Sequence, residues 1–328
     1  MSGPHPAVAA ARLAVRRSLG DLGPGAVVVV ACSGGADSLA LLAATTFEAR
    51  SAGWRVVGAT VDHGLQPTSA EVAAAVVEQM GALGADETLT ARVTVQAGPL
   101  GPEAAARQAR YAVLEEVAER TRAAVVLLGH TLDDQAETVL LGLTRGSGGR
   151  SVAGMRRAFD RFRRPLLDLT RAETRDACRA QGLTWWDDPH NDDPRFTRVR
   201  VRQRVLPVLE EELGPGVATT LARTADLLRE DVELLDDLAD AALARALDPE
   251  VPGGLRVSAL ADEPAALRRR VLRLAALAAG APGDELAHVH VLALDDLVTA
   301  WRGQRWVDLP GHLRGLRRDG VVVIERVR

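Results

Sequence analysis

The chain contains no lysine, so all 40 of its basic Lys/Arg side chains are arginine. That absence excludes a lysine nucleophile or Schiff base within the protein. It also excludes the Walker phosphate loop, whose GxxxxGK[ST] pattern requires a lysine. Asparagine and isoleucine occur once each, as Asn191 and Ile324, with Asp, Val and Arg standing in for the scarce types. This reads as a composition bias, which makes the missing lysine weak evidence about function in general. The two cysteines, Cys32 and Cys178, have no CxxC partner, so neither a zinc site nor a disulfide framework is indicated. No apolar run approaches the length of a membrane span, and the N-terminus lacks a basic-then-apolar leader pattern. No membrane association and a cytoplasmic location are therefore the expectation.

At 328 residues the chain is long enough for two domains. The formal net charge of −4 does not advertise nucleic-acid binding, but its distribution is uneven. Between Arg145 and Arg204 there are 15 arginines against 8 acids, whereas Glu210 to Asp240 is mostly acidic. The basic stretch is either a solvated surface or a surface that meets phosphates.

The stretch from Ala26 to Ala43, AVVVVACSGGADSLALLA, organises the rest. Val27 to Ala31 is short and β-branched, which predicts a strand buried on both faces. Cys32 to Ser38 then turns sharply, and Leu39, Leu41 and Leu42 among alanines predict a helix. A strand, a Gly-rich turn and a helix make a phosphate cradle, because glycine lets backbone N–H groups approach an anion that the helix dipole favours. Ser33 and Ser38 add hydroxyl donors, and Asp37 can hold a metal that neutralises phosphates.

Further along, Pro6 to Leu19 has helical spacing, and Arg55 to Val61 predicts a second strand ending in Asp62-His63. Ligands bind at the carboxyl ends of strands in parallel α/β sheets, so Asp62 and His63 belong to the crevice of Ser33. Glu71 to Leu83 predicts a helix, Thr90 to Gln96 a third strand, Gly101 to Glu119 a helix, and Ala124 to Leu128 a fourth strand. This alternation predicts a doubly wound parallel sheet. The fourth strand runs into Gly129-His130-Thr131-Leu132-Asp133-Asp134-Gln135-Ala136-Glu137, where acids three and four apart share neighbouring rows of one helix start. Such carboxylates suit magnesium, which takes one or two from a protein and the rest from phosphates and water; helix capping is the alternative. Arg145 to Arg150 reads as a glycine-rich turn. In Phe196 to Arg204, alternating arginines predict a phosphate-binding surface whether as strand or helix. The breaker cluster Gly214-Pro215-Gly216 sets a boundary between domains at 1–213 and 214–328. The second domain reads as mainly helical, over Val217 to Leu247, Leu267 to Leu277 and Asp284 to Trp301. Its tail predicts two strands, Arg305 to Leu309 and Gly320 to Val327, joined by a basic turn with His312, Arg314, Arg317 and Arg318.

The SGG-x-DS turn resembles the PP-loop of ATP pyrophosphatases, which cleave ATP between the α and β phosphates. Further motifs occur in order: Val61-Asp62-His63-Gly64-Leu65, Glu103-x3-Arg107-x2-Arg110-Tyr111 and Gly129-His130-x2-Asp133-Asp134-Gln135-x-Glu137-Thr138. They continue with Arg145-Gly146-Ser147-Gly148, Arg164-Pro165-Leu166-Leu167, Asp188-x2-Asn191 and Phe196-x-Arg198. Together, over roughly residues 26 to 210, they resemble the tRNA(Ile)-lysidine synthetase family. The resemblance implies an adenine nucleotide α-hydrolase-like fold and attachment of L-lysine to C2 of the wobble cytidine of a CAU-anticodon isoleucine tRNA. ATP would first adenylate the cytidine O2, the lysine amine would then displace AMP, and the codon read would change from AUG to AUA.

The resemblance assigns ATP to Ser33, Gly34, Gly35, Ala36, Asp37, Ser38, Asp62, His63 and Gly129, and magnesium to Asp37 with Asp134. Catalytic roles fall to Asp37, to His130 on the transferring phosphate, to Glu137 on the lysine amine and to Arg202 on phosphate or tRNA. Lysine or tRNA would be met by Glu103, Arg107, Tyr111, Arg145, Arg164 and Arg198. A homodimer is left open. Two departures stand out: Val199 and His190 occupy positions where the family usually has Asn and Ser, so any amide contact at Val199 does not carry over. The rival readings are a PP-loop tRNA thiolase, which needs a sulfur-carrying cysteine, and a non-catalytic ATP-binding sensor, which needs neither the carboxylates nor the basic extension.

Overall fold

The computed structural model describes residues 3–62, 69–92, 102–146, 148–188 and 192–327, with the side chains of residues 102–106 and of Arg145 outside the described set. The chain divides into two compact units, one of Met1–Gly146 with Ser151–Asp226 and one of Ser147–Arg150 with Leu227–Arg328.

The first unit opens with α1 (Pro6–Ser18), β1 (Val27–Ala31), α2 (Ala36–Ala52), β2 (Arg55–Asp62), α3 (Ser69–Ala82) and β3 (Glu87–Arg92). It continues through α4 (Pro102–Thr121), β4 (Val125–Leu127), α5 (Leu132–Arg145), the short α6 (Gly149–Val152), whose first two residues are counted with the second unit, β5 (Ala158–Phe159), β6 (Phe162–Arg163) and α7 (Arg171–Ala180). Then come α8 (Thr197–Arg200), a π-helical turn over Val201–Val205, α9 (Leu206–Leu213) and the start of α10 (Val217–Ala246). The sheet order is β3-β2-β1-β4-β6-β5, parallel except for the hairpin of β5 with β6. Strand order reverses between β1 and β4, and the crevice outside the carboxyl ends of those two strands is where such folds bind ligands.

β1 shows why a run of valines forms a central strand. Val28 and Val30 pack into one layer with Leu39, Leu42, Val76 and Met80, while Val29 packs into the other with Val57, Leu114, Val117 and Val126. All three valines are fully buried, so each face of the strand has its own apolar layer. Burying a side chain of this size is worth roughly 1.5–3 kcal/mol, which outweighs the intrinsic cost of ordering it. A smaller cluster of Ala136, Leu141, Val201 and Leu206 fastens α5 to the π-helical turn and α9. The Phe196 to Arg204 stretch is therefore helical, and Pro207, near the expected boundary, sits inside α9 at a position where its missing N–H is tolerated.

The second unit holds the rest of α10, β7 (Leu255–Arg256), α11 (Val257–Leu260), α12 (Ala265–Ala278), α13 (His288–Thr299), β8 (Val307–Leu309), β9 (Leu313–Arg318) and β10 (Val321–Arg326). A four-stranded antiparallel sheet in the order β7-β10-β9-β8 packs its apolar side chains with those of the helices. The expected basic turn is thus itself a strand: β9 pairs with β8 and β10 on its two sides, and its backbone groups are satisfied by neighbours distant in sequence. Among the described residues no helix is long and apolar enough to cross a membrane.

Candidate functional site

The β1–α2 junction is built from glycines for stated reasons. Gly34 has φ +82, and a Cβ there would lie 2.5 Å from Val76 Cγ2, so both backbone and space require glycine. Gly35 is the N-cap of α2, and no side chain caps that turn. Ser38 Oγ accepts from the Ser33 N–H at 3.2 Å and donates to the Gly35 carbonyl at 2.9 Å, folding the loop onto the helix. The result is a helix start whose leading N–H groups have no side-chain acceptor, which attracts an anion. The second junction, β4–α5, touches it through Gly129, whose added Cβ would come 3.1 Å from the Ser38 backbone.

The acids and arginines meet beside this turn. The Thr174 hydroxyl donates to Asp37 Oδ1, and Arg171 Nε lies 3.8 Å from Asp37 Oδ2. Burial pushes the Asp37 carboxyl up to about 6, with repulsion from Asp134 and Asp133 adding to it and Thr174 and Arg171 opposing. Asp134 Oδ2 accepts from the Thr131 N–H at 2.9 Å and its hydroxyl at 3.1 Å, while Oδ1 lies 3.2 Å from Arg171 and 3.4 Å from Arg198. Burial works against charge there too, but Arg171 and Arg198 outweigh it and hold the carboxyl down at about 2.

Glu137 has no exposed surface. It accepts from Arg198 Nε at 2.7 Å, Arg202 Nε at 2.7 Å and Arg171 Nη2 at 3.4 Å. Arg198 and Arg202 are four apart on a helix that passes into the π-helical turn, which lets both guanidiniums face one carboxylate. A buried carboxylate without such partners would be strongly unfavourable. His130 accepts at Nδ1 from Arg164 Nε at 3.2 Å. Burial, reinforced by Arg164, Arg198 and Arg107 against the opposing pull of Asp134, pushes its pKa down to about 3. The ring is therefore neutral and, with Nδ1 accepting, carries its hydrogen on Nε2. Arg164 in turn donates from Nη2 to the Tyr111 hydroxyl at 3.1 Å, and Tyr111 packs edge-on against Phe162 with centroids 5.1 Å apart.

These groups surround a cavity of about 890 Å³. Of the residues singled out in the sequence, Ser33, Gly35, Ala36, Asp37, Ser38, Asp62, Arg107, Tyr111, Gly129, His130, Asp134 and Arg202 line it. Gly34 supports the turn, Arg164 stands behind His130, and Arg198 and Glu137 face each other. Asp62, buried at the end of β2, is 3.5 Å from Arg92. His63 lies outside the described residues, as do the side chains of Glu103 and Arg145.

Residues 13–209 match the PP-loop domain family, and residues 255–320 match the TilS substrate binding domain. The chain is 54% identical over 324 residues to a tRNA(Ile)-lysidine synthase of Thermobifida fusca, covering 99% of both chains. It is 50% identical to one of Streptomyces coelicolor over 99% of both, and 52% identical to one of Leifsonia xyli over 96% of both. The chain belongs to the tRNA(Ile)-lysidine synthase family. Among solved structures, the U34-tRNA thiolase NcsA of Methanococcus maripaludis, with its [4Fe-4S] cluster, matches with a TM-score of 0.56. It is 19% identical and the match covers 68% of this chain and 80% of that one, a likeness of fold.

The donor set fits the magnesium that family membership suggests. Two carboxylates, Asp37 and Asp134, line the cavity beside the anion seat, and magnesium asks a protein for no more. Two residues of this family member escaped the sequence reading, Arg171 and Thr174 on the first turn of α7. Arg171 reaches Asp37, Asp134 and Glu137, and its backbone N–H donates to Asp133 Oδ2 at 2.7 Å. A signal existed: an arginine in the first turn of a helix opposes the dipole and needs nearby acids to hold it.

Proposed function

We propose that the protein attaches L-lysine to C2 of the wobble cytidine of a CAU-anticodon isoleucine tRNA, splitting ATP into AMP and pyrophosphate. The observation that carries this reading is the uncapped start of α2, which bears Asp37, lining one cavity with Asp134 and His130, in a chain about half identical to enzymes named for that product. The first turn of α2, with Ser33 and Ser38, holds the β and γ phosphates. Asp37 and Asp134 would hold a magnesium ion, which supplies neutralisation of phosphate charge. His130, neutral and fixed by Arg164, donates from Nε2 to the α-phosphate as it passes to the cytidine O2. Adenylation makes that oxygen a good leaving group; the lysine amine forms the new C–N bond at C2, and AMP leaves with the oxygen.

Glu137 serves the amine in this reading, which requires Arg198 or Arg202 to leave it for an RNA phosphate as the tRNA arrives. Full activity of Glu137→Gln would remove that role. Sulfur transfer is disfavoured by the cysteines, since both are buried and burial raises both thiols, Cys178 to about 12. The test incubates the protein with ATP, magnesium, labelled L-lysine and a CAU-anticodon isoleucine tRNA transcript. Acid-precipitable label that requires ATP and vanishes when the wobble cytidine is replaced is the expected result. Label absent under all these conditions would reject the reading.

A further inference from the structure

Asp37 and Asp134 each have one carboxylate oxygen tied by hydrogen bonds and one turned toward a cation. Asp37 Oδ1 accepts from the Thr174 hydroxyl, and Asp134 Oδ2 accepts from the Thr131 N–H at 2.9 Å and its hydroxyl at 3.1 Å. The other two oxygens face the same guanidinium: Arg171 Nε lies 3.8 Å from Asp37 Oδ2, and Arg171 Nη2 lies 3.2 Å from Asp134 Oδ1. Arg198 Nη2 and Arg202 Nη2 also approach Asp134 Oδ1, at 3.4 and 3.8 Å, but both are committed through Nε to Glu137 at 2.7 Å. Among the described residues, Arg171 is the arginine that reaches both aspartates. Its backbone is fixed independently of the guanidinium. The Arg171 N–H donates to Asp133 Oδ2 at 2.7 Å, Glu173 Oε2 accepts from the Thr170 N–H at 2.7 Å, and Thr170 Oγ1 accepts from the Glu173 N–H at 3.2 Å. The long side chain can therefore change partners without a change in the helix that carries it.

A divalent ion held by Asp37 and Asp134 needs carboxylate oxygens that are not already engaged. With Asp37 Oδ1 and Asp134 Oδ2 tied, the ion and Arg171 compete for the same pair. Two carboxylates brought together in a partly buried crevice repel each other, and a guanidinium reaching both relieves that repulsion. For a free ion the exchange is poor, because it leaves Arg171 beside a dication with Glu137, which Arg198 and Arg202 already satisfy. ATP changes the balance. Its phosphate oxygens offer the released guanidinium a planar two-point seat and bring the negative charge that a metal and an arginine together require. We infer that Arg171 is a resident counterion of the Asp37–Asp134 pair, holding the oxygens that a divalent ion takes and yielding them when the ion arrives with the nucleotide's phosphates. This rests on the proposed assignment of magnesium to these two aspartates, and it makes Arg171 a positioning residue through which metal entry depends on nucleotide.

The test uses the full chain and Mn2+, a paramagnetic stand-in for magnesium, with binding read from loss of the free-ion EPR signal in the absence of nucleotide. Arg171→Met keeps an apolar stem and removes the charge, and Arg171→Gln removes it with a polar end, so one serves if the other perturbs packing. Both should bind Mn2+ at least about tenfold more tightly than the unmutated protein. Arg171→Lys, which restores a cation, should bind it weakly, as the unmutated protein does. Adding Asp37→Asn to Arg171→Met should abolish the gain and so tie the ion to this pair. Thermal melts should agree, with Mn2+ alone raising the Tm of Arg171→Met more than that of the unmutated protein. Mn2+ affinity unchanged or weakened in both neutral variants would overturn the inference, as would a gain that survives Asp37→Asn. Neither result touches the lysine-attachment reading, which is judged by labelled lysine on the tRNA. Absence of that label with the Mn2+ gain intact would reject the proposed function and leave the inference standing.

Discussion

Two strand-to-helix junctions meet at the cavity, and they are finished in opposite ways. At β1–α2 the N-cap is Gly35 and no side chain closes the helix start. At β4–α5 the chain supplies its own anion, since Asp134 accepts from the Thr131 N–H at 2.9 Å. The same topology thus yields a seat for a foreign anion beside a helix start that is already neutralised. The two aspartates differ correspondingly: Asp37 is pushed up to about 6 and Asp134 held down at about 2. One helix start is left open to an anion and the other carries its own, so the two sit side by side with opposite electrostatic finish.

The comparison is broken most severely at Gly34. Gly34→Ala forces a left-handed backbone on alanine and meets Val76, so ATP affinity measured by titration calorimetry should fall at least about tenfold. Unchanged ATP affinity would mean that the β1–α2 turn is not the phosphate seat. Next comes the arginine grip. Arg202→Ala leaves the fully buried Glu137 with a reduced set of partners, and urea unfolding should show a loss of about 3 kcal/mol. A loss below about 0.5 kcal/mol would show that Arg198 and Arg171 alone suffice.

The aspartates provide a sharper contrast. A carboxyl raised from 3.8 to about 6 contributes stability that is present below about pH 4 and lost as pH rises through about 6. Asp37→Asn should therefore stabilise the apo protein by about 3 kcal/mol at pH 8. For Asp134, lowered from 3.8 to about 2, the stability is present above about pH 4 and lost as pH falls toward 2. Asp134→Asn should accordingly destabilise by about 2 kcal/mol at pH 8. Thermal melts in which both variants shift the same way would contradict the comparison. The smallest effect is expected from Cys178→Ser, where a hydroxyl can replace the thiol that donates to the Ala36 carbonyl at 3.3 Å. Modification activity within about twofold of the parent is expected, and its abolition would revive sulfur chemistry.

Much of this site was legible because local signals carried it. The valine run forecast a central strand, the glycine and serine turn forecast the tight junction into α2, and the spacing of Asp133, Asp134 and Glu137 placed acids at one helix start. Spacing could not say which acid would face the cavity. Asp134 lines it while Glu137 is claimed by Arg198 and Arg202, some sixty residues downstream, and that pairing is a tertiary fact. The arginines at 198, 200, 202 and 204 fit a strand as well as a helix until packing of Val201 and Leu206 against Ala136 and Leu141 decided for the helix. Likewise β9, Leu-Arg-Gly-Leu-Arg-Arg, has too many charges and too little alternation to read as a strand, and it becomes one through its neighbours β8 and β10.

In the proposed mechanism the cavity transfers AMP from ATP to RNA before lysine arrives. This step is tested most directly by incubating the protein with ATP labelled at the α phosphate, magnesium and the isoleucine tRNA transcript, with lysine withheld. Label should enter the tRNA and be released as AMP when unlabelled lysine is added. Pyrophosphate formation with no label on the tRNA, or release of orthophosphate with the label left in ADP, would contradict this mechanism.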